Sequence, residues 1–281
     1  MKKASKRIVS LLLCALLLAM VVPLSALSVA ADTVDVSRLS YEISDGEVII
    51  TGCVESTAGD LVIPDTIEGY PVTTIGYRAF YDCTSLTSVT ISDGVIEIGE
   101  RAFLDCTGLT TIIIPNSVKE IGEYAFAGCT SLTSVTIPNS VKEVGTGWFY
   151  GCKSLASVTI PDGIHEIGYC SFADCKNLAS VTIPESVSDI SAEAFDGCTD
   201  LTDVYYGGRE ADFEEVYVGD SNYYLLDATW HYGAKVFNST DDAHGGDDAS
   251  SIGPVRWIGI GVGTLLVGVV VFFLLKKKPS A

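Results

Sequence analysis

Apolar residues recur every 23 residues through the middle of this chain. Most units contain a Leu-x-x-Val-x-Ile segment, such as Leu132–Ile137, with serine or threonine between the apolar positions. That alternation predicts a short strand with one face inward, which the following proline ends. One Phe, one Cys and one Leu also keep the period, the phenylalanines being Phe80, Phe103, Phe126, Phe149, Phe172 and Phe195. A fixed period of this length predicts a β-rich solenoid of stacked units.

Each strand is followed by a second short apolar pair and then by a glycine. We expect these glycines to form a bend with positive φ, and they are Gly76, Gly99, Gly122, Gly145 and Gly168. The unit ends in a compact turn, such as residues 123–129, whose Ala and Phe pack inward. Before the repeats, Asp45–Gly46 separates two apolar segments and predicts a β-hairpin.

These units resemble the BspA-like leucine-rich repeat family of surface proteins, whose units are approximately L-x-x-V-x-I-P, V-x-x-I-G, A-F and C in order. The resemblance covers about residues 60–201. Residues 60–76 resemble the family's opening unit, and residues 204–232 resemble its closing segment. The resemblance implies a leucine-rich-repeat fold and a binding role, since some members are adhesins for host matrix proteins or other cells.

The two ends of the chain predict export and membrane anchoring. A basic start, an apolar stretch and the small residues Val29–Ala30–Ala31 indicate a signal peptide. Trp257–Leu275 is an apolar run of 19 residues, and three lysines follow it. The predicted order is therefore signal peptide 1–31, N-terminal β cap 32–59, leucine-rich repeats 60–203, C-terminal cap 204–233, acidic flexible tether 234–256, transmembrane helix 257–275 and cytoplasmic basic tail 276–281. This order predicts a single-pass cell-membrane protein with an extracellular N-terminal ectodomain.

The exported part is strongly acidic. Residues 32–255 contain all 36 acidic residues and only 9 basic ones, a net charge of −27. Such a surface repels nucleic acid and anionic lipid headgroups, so nucleic acid is excluded as a partner. The carboxylates of the tether lack calcium-loop spacing, and they indicate a solvated linker.

Nine cysteines in an exported chain favour two alternatives. Six keep the period, namely Cys83, Cys106, Cys129, Cys152, Cys175 and Cys198. Stacked units place them within bridging distance, but small buried thiols need no bond, and we predict a ladder of free thiols. Cys53 and Cys170 are off the period, and we expect Cys170 to be exposed.

The sequence predicts no catalytic, cofactor or metal site. Its three histidines are scattered, and it has neither a Cys-x-x-Cys pair, a Gly-x-Ser-x-Gly elbow nor a phosphate-binding glycine loop. We therefore predict that the protein is not an enzyme. The outward serines and threonines of the strands, such as Ser134 and Thr136, are explained by strand propensity.

Aromatic residues beside the repeated phenylalanine are the candidate contact residues. The predicted partner-binding residues are Trp148, Tyr150, Tyr124, Tyr169 and Tyr81. Trp148 replaces the usual Ala, so it either overpacks the junction or turns outward. If it turns outward, replacing it with Ala should leave stability unchanged or improved. The alternative interpretation is that these rings only fill junctions between units.

Together these features predict a non-catalytic, membrane-anchored extracellular module for protein interaction or adhesion, with a protein or glycan ligand. The alternative is a structural envelope scaffold that binds cell-wall glycan or a neighbouring membrane protein. The tether, with a random-coil span of roughly 25 Å, limits how far from the membrane the ectodomain reaches.

Overall fold

The computed structural model describes residues 36–54 and 57–234. The predicted signal peptide, the tether beyond Ala234, the transmembrane helix and the basic tail lie outside the described residues. Within the described part, none of the helices has the length and apolar character that crossing a bilayer requires.

The regular secondary structure of the described residues consists mostly of short strands. After a 3-10 turn at Val36–Arg38, the strands are β1 (Leu39–Ser44), β2 (Glu47–Cys53), β3 (Gly59–Val62), β4 (Thr66–Ile67), β5 (Tyr70–Ile75), β6 (Leu86–Thr90), β7 (Glu97–Ile98), β8 (Thr111–Ile113), β9 (Glu120–Ile121), β10 (Ser157–Thr159), β11 (Glu166–Ile167), β12 (Ser180–Ile183), β13 (Asp189–Ile190), β14 (Asp203–Tyr206), β15 (Tyr217–Val218) and β16 (Thr229–Tyr232). Two one-turn helices, α1 (Glu210–Phe213) and α2 (Tyr223–Leu226), lie in the C-terminal cap.

Two parallel ladders run along the stack, and every repeat except the one that contains Trp148 adds one strand to each ladder. The first consists of β3-β6-β8 and then β10-β12-β14-β16; the second consists of β2-β5-β7-β9 and then β11-β13-β15. Pairs such as Val158 with Val181 are 23 residues apart, so the register equals the repeat length. The predicted β-rich solenoid is confirmed.

The N-terminal hairpin is also confirmed. Strands β1 and β2 pair antiparallel around Asp45 and Gly46, whose φ angles are 54° and 83°. Two consecutive positive φ angles are what a two-residue hairpin turn requires. Strand β2 then pairs parallel with β5, and the hairpin thereby covers the first turn of the second ladder.

The core is built from repeated contacts between equivalent residues. Consecutive phenylalanine rings are stacked, with centroids 4.9–5.6 Å apart. Five periodic cysteines are buried free thiols, and each Sγ donates a hydrogen bond of 3.0–3.3 Å to the carbonyl of the phenylalanine in the preceding unit. Burial raises the pKa of the Cys152 thiol to about 12, so this thiol remains protonated at neutral pH.

The cysteine prediction is wrong at two positions. Cys83 is bonded to Cys53 in a disulfide. Cys83 occupies the first rung of the ladder, where no earlier repeat supplies a phenylalanine carbonyl and the end of β2 supplies Cys53 instead. Cys170 is buried, not exposed, and its Sγ lies 3.3 Å from the Glu193 carboxylate.

The predicted role of the repeated glycines is also wrong. Their φ angles are not positive, and the positive values fall two residues later, at 53–62°, on Arg78, Arg101, Tyr124, Gly147, Cys170 and Glu193. The glycines are needed for close approach, because a Cβ at Gly99 would lie 2.8 Å from the backbone of Gly76 in the preceding turn. Successive turns therefore pack backbone against backbone at the repeated glycines, except at Gly145, where the Trp148 indole fills the space.

Both ladders are interrupted at the same turn of the solenoid. Between β8 and β10 the first ladder is reduced to a single bridge from Thr111 to Ser134. On the second ladder, Val144 bridges to Ile167, but β9 ends its sheet. The repeat that contains Trp148 is therefore joined to its predecessor by fewer backbone hydrogen bonds.

The C-terminal cap ends the hydrogen-bond ladder with a side chain. The backbone N–H of each repeated phenylalanine donates to a carbonyl of the next unit at 2.7–2.9 Å, from Phe80 through Phe172. Phe195 is the last, and its N–H donates to the Oδ1 of Asn222 at 3.0 Å. The Nδ2 of Asn222 donates to the carbonyls of Ser191 and Gly219, and the residue is 1% exposed. Asn222 thus replaces the missing next repeat.

Candidate functional site

Trp148 lies inside the stack, not on its surface. Its side chain is 2% exposed, and its Nε1 donates a hydrogen bond of 3.2 Å to the carbonyl of Ile121. At other junctions the equivalent carbonyl accepts from a glycine N–H, as Ile98 accepts from Gly122 at 2.7 Å. The indole therefore replaces a backbone hydrogen bond at the interrupted turn. Burial favours the alternative interpretation, in which Trp148 fills a junction between units, and Trp148 is therefore not part of the candidate contact surface.

Two other predicted residues, Tyr124 and Tyr150, line one groove. This tyrosine groove has a volume of about 460 Å³, and its lining residues are Leu104, Asp105, Thr107, Tyr124, Ala127, Gly128, Thr130, Tyr150, Gly151, Lys153 and Asp174. Tyr150 is 42% exposed, and Tyr124 is half-buried. The two rings come from adjacent repeats and leave part of their area accessible to a partner.

Gly147 is the reason that Tyr124 fits here. It occupies the repeated positive-φ position, where other units carry a side chain, and its φ is +62°. A Cβ on Gly147 would collide with the ring of Tyr124. The ring of Tyr124 therefore extends along the stack toward Tyr150 because Gly147 has no side chain.

Carboxylates border the tyrosine groove on two sides. The negative charge of Asp174, which lines the same groove, raises the pKa of the Tyr150 hydroxyl. Asp105 lies one repeat before Tyr124, and its carboxylate leans over Gly128. Lys153 is exposed on the same rim. The groove thus combines two aromatic rings, two carboxylates and the ammonium group of Lys153, and the Arg101 guanidinium lies over the ring of Tyr124.

Tyr81 and Tyr169 do not line this groove in the described structure. Tyr81 is 46% exposed, but the guanidinium of Arg78 lies 5.0 Å from its ring centroid. Tyr169 is also exposed, and its hydroxyl donates to the Glu193 carboxylate at 3.0 Å. Both of these tyrosines are held by partners within the chain.

A second groove, of about 570 Å³, is acidic. Its lining includes more carboxylates than cations, namely Glu97, Glu100, Glu120, Glu123 and Glu143 against Lys119 and Lys142, and it also includes Trp148. Glu97 and Glu120 pair in register on β7 and β9, so like charges are stacked along the ladder. Within residues 36–54 and 57–234, no group of three or more His, Cys, Asp or Glu side chains is arranged to hold a metal ion.

The histidine nearest to a carboxylate is in the C-terminal cap. The Nε2 of His231 lies 2.8 Å from Asp203, and its ring stacks on Tyr205 with centroids 4.6 Å apart. This contact lowers the pKa of Asp203 and joins β14 to β16. The contact between His231 and Asp203 is therefore explained by a structural role at the end of the sheet.

Comparison with known proteins agrees with this architecture. Six copies of the BspA-type leucine-rich repeat region match residues 70–207. The crystal structure of the T. pallidum leucine-rich repeat protein TpLRR is 35% identical over 60% of this chain and 79% of that chain, with a TM-score of 0.57. The chain belongs to the BspA-type leucine-rich repeat family.

A second solved structure similar to this chain is that of a cell-surface protein. A leucine-rich cell surface protein of Faecalibacterium prausnitzii A2-165 is 31% identical, with a TM-score of 0.59, over 73% of this chain and 55% of that protein. The match thus spans about half the length of that relative. Comparison with curated proteins finds no significant match. The chain is a leucine-rich-repeat scaffold related to bacterial cell-surface proteins.

Sequence reasoning on this BspA-type chain missed several groove residues. Asp105, Asp174, Lys153 and Gly147 were not singled out, because they show no motif in a single repeat. Aligning the repeats column by column provides the signal: position 147 is the glycine in a column otherwise made of Arg, Tyr, Cys and Glu. That exception marks the place where a neighbouring ring has room to lie.

Proposed function

We propose that this protein is a bacterial surface-binding module that holds a protein or glycan partner in its tyrosine groove. The supporting observation is the convergence of Tyr124 and Tyr150 in one accessible depression. The relationship to a bacterial cell-surface leucine-rich protein supports display outside the cell. In this proposal the signal peptide 1–31 directs export and the helix 257–275 anchors the chain.

The fold itself does not require tyrosine at these positions. The column that contains Tyr150 also holds Tyr81, but in the other repeats it holds Leu104, Ala127, Ala173 and Asp196, and these repeats stack without a tyrosine there. Tyrosines combine large rigid contact area with a polar tip, and they are favoured where proteins bind partners. A concave site with convergent rings and few polar groups is the usual form of such a site. A role in partner binding therefore explains the two tyrosines better than a role in packing between repeats.

Capture on coated beads tests this proposal. Beads carrying the full chain are offered a panel of purified extracellular-matrix proteins and bacterial cell-wall glycans. For the partner that binds, the double variant Tyr124→Ala/Tyr150→Ala is expected to reduce capture by about tenfold or more, as loss of central aromatic contacts does.

The matched control is Tyr217→Ala/Tyr223→Ala, which removes two tyrosines of the C-terminal cap that are 62% and 68% exposed. Its capture should equal that of the parent. Equal capture by parent and groove variant would show that the partner binds elsewhere and would refute the proposed site.

A further inference from the structure

The tyrosine groove contains a tyrosine in the same repeat position as one in the first repeat, where an arginine of the chain packs against the ring. Tyr81 and Tyr150 occupy the same column of the repeat, three units apart. At the first unit, the guanidinium of Arg78 lies 5.0 Å from the centroid of Tyr81 and 5.2 Å from that of Tyr77. Such distances are those of cation–π contacts. The chain itself therefore shows what a ring in this column binds.

At Tyr150 the arginine of that arrangement is replaced. The residue equivalent to Arg78 is Gly147, and within the described residues no guanidinium lies over the Tyr150 ring. Tyr124 adds a second ring in the space above Gly147, and its own face pairs with the guanidinium of Arg101 at 5.6 Å. Tyrosines along this edge thus pair repeatedly with arginine, and Tyr150 is accessible to one from outside the chain.

The surrounding charge favours the same type of ligand. Asp105 and Asp174 line the groove, and Lys153 is an exposed side chain that can extend into solvent. Residues 36–234 contain 30 acidic residues against 8 basic ones. A field of this sign raises the local concentration of cationic partners and disfavours anionic ones.

We propose that the tyrosine groove binds the guanidinium group of an arginine on a basic polypeptide partner. This inference rests on the proposed function and names the chemistry of its partner. A guanidinium is planar, stacks on aromatic rings and binds carboxylates through two parallel hydrogen bonds. Tyr150 provides the ring that no guanidinium of the described residues covers, Tyr124 with Arg101 over it forms the neighbouring wall, and Asp105 and Asp174 provide the carboxylates.

Fluorescence anisotropy with a defined probe tests this inference. The probe is a labelled short peptide of alternating glycine and arginine, added to the full chain at physiological ionic strength. Tyr150→Ala is expected to weaken binding about tenfold, whereas Tyr81→Ala should stay within about twofold of the parent. The two residues are matched, with 42% and 46% exposure, but Arg78 already covers Tyr81. A peptide with citrulline in place of arginine should bind about tenfold more weakly, because it keeps the shape and loses the charge.

Two results would overturn the inference. If Tyr150→Ala and Tyr81→Ala weaken binding equally, the peptide is attracted by the acidic surface in general and not by the groove. If the citrulline peptide binds as tightly as the arginine peptide, the site does not recognise a cation.

Comparing the peptide-binding assay with the bead capture shows whether this inference or the proposed function has failed. Should the arginine peptide fail while bead capture still depends on Tyr124 and Tyr150, the groove holds a neutral partner such as a glycan. In that case the cation assignment is wrong and the binding role stands. If bead capture is also independent of both tyrosines, the proposed function itself is refuted.

Discussion

Replacing Trp148 with alanine is expected to lower the free energy of unfolding by about 4 kcal/mol, the usual cost of removing a large buried aromatic side chain. The indole is 2% exposed and packs edge-on against Phe149, with centroids 6.4 Å apart. Its N–H also satisfies the carbonyl of Ile121 at the interrupted turn. Chemical denaturation of the full chain, followed by circular dichroism, measures the change.

Trp148→Phe is the matched control for that experiment. It keeps most of the ring volume and loses the hydrogen bond to Ile121, so we expect a loss of about 1–2 kcal/mol. An alanine variant that is as stable as the parent would mean that the turn closes onto the alanine, as it does at Ala102 and Ala125. The conclusion that Trp148 stabilises the interrupted turn would then be wrong.

Replacing Asn222 with alanine is expected to cost about 3 kcal/mol, because buried polar groups lose their partners. The Phe195 N–H and the carbonyls of Ser191 and Gly219 would lose the hydrogen bonds that Asn222 makes. Since the stability of a solenoid depends on its terminal units, unfolding should begin at this end. Hydrogen exchange of the Phe195 amide, together with the melting temperature, tests both effects.

Asn177→Ala makes the same chemical change at an exposed position of the repeats. It should leave the melting temperature and the exchange rates close to those of the parent, as surface substitutions usually do. If the two asparagine variants behaved alike, Asn222 would not be the residue that ends the ladder.

The sequence was sufficient to predict the repeats because each repeat contains the same pattern of apolar and polar positions. Leu132 and Val158 are buried as their alternation predicts, and the phenylalanine column forms the expected stack. The strand register follows from the period, so the parallel ladders needed no further information. Regular contacts between equivalent positions are therefore readable from a single chain.

Exceptions to the repeat were less predictable because they depend on two neighbouring units at once. Trp148 lies inward at the interrupted turn, where its indole bonds to the carbonyl of Ile121 in the preceding repeat, a partner that its own repeat does not reveal. Cys83 forms a disulfide because the end of β2 lies beside the first rung. The glycine column was mistaken for a bend because close backbone contact and positive φ favour the same residue.

The candidate site was predicted in part for the same reason. Tyr124 and Tyr150 were among the predicted contact residues, but so were Tyr81 and Tyr169, which the structure pairs with Arg78 and Glu193. Separating the two pairs requires knowing that Gly147 lies beside Tyr124. That contact joins adjacent repeats and has no signature within either one.

The most direct test of the account is the accessibility of Lys153 on living cells. Lys153 is exposed on the rim of the tyrosine groove, so a membrane-impermeant amine reagent should label it on intact bacteria that express the full chain. Lys276, which we predict to be cytoplasmic, should react only after the cells are permeabilised. Mass spectrometry of the labelled peptides identifies each site. Labelling of Lys153 on intact cells would agree with a surface-displayed binding module; labelling of Lys153 only after permeabilisation would contradict it.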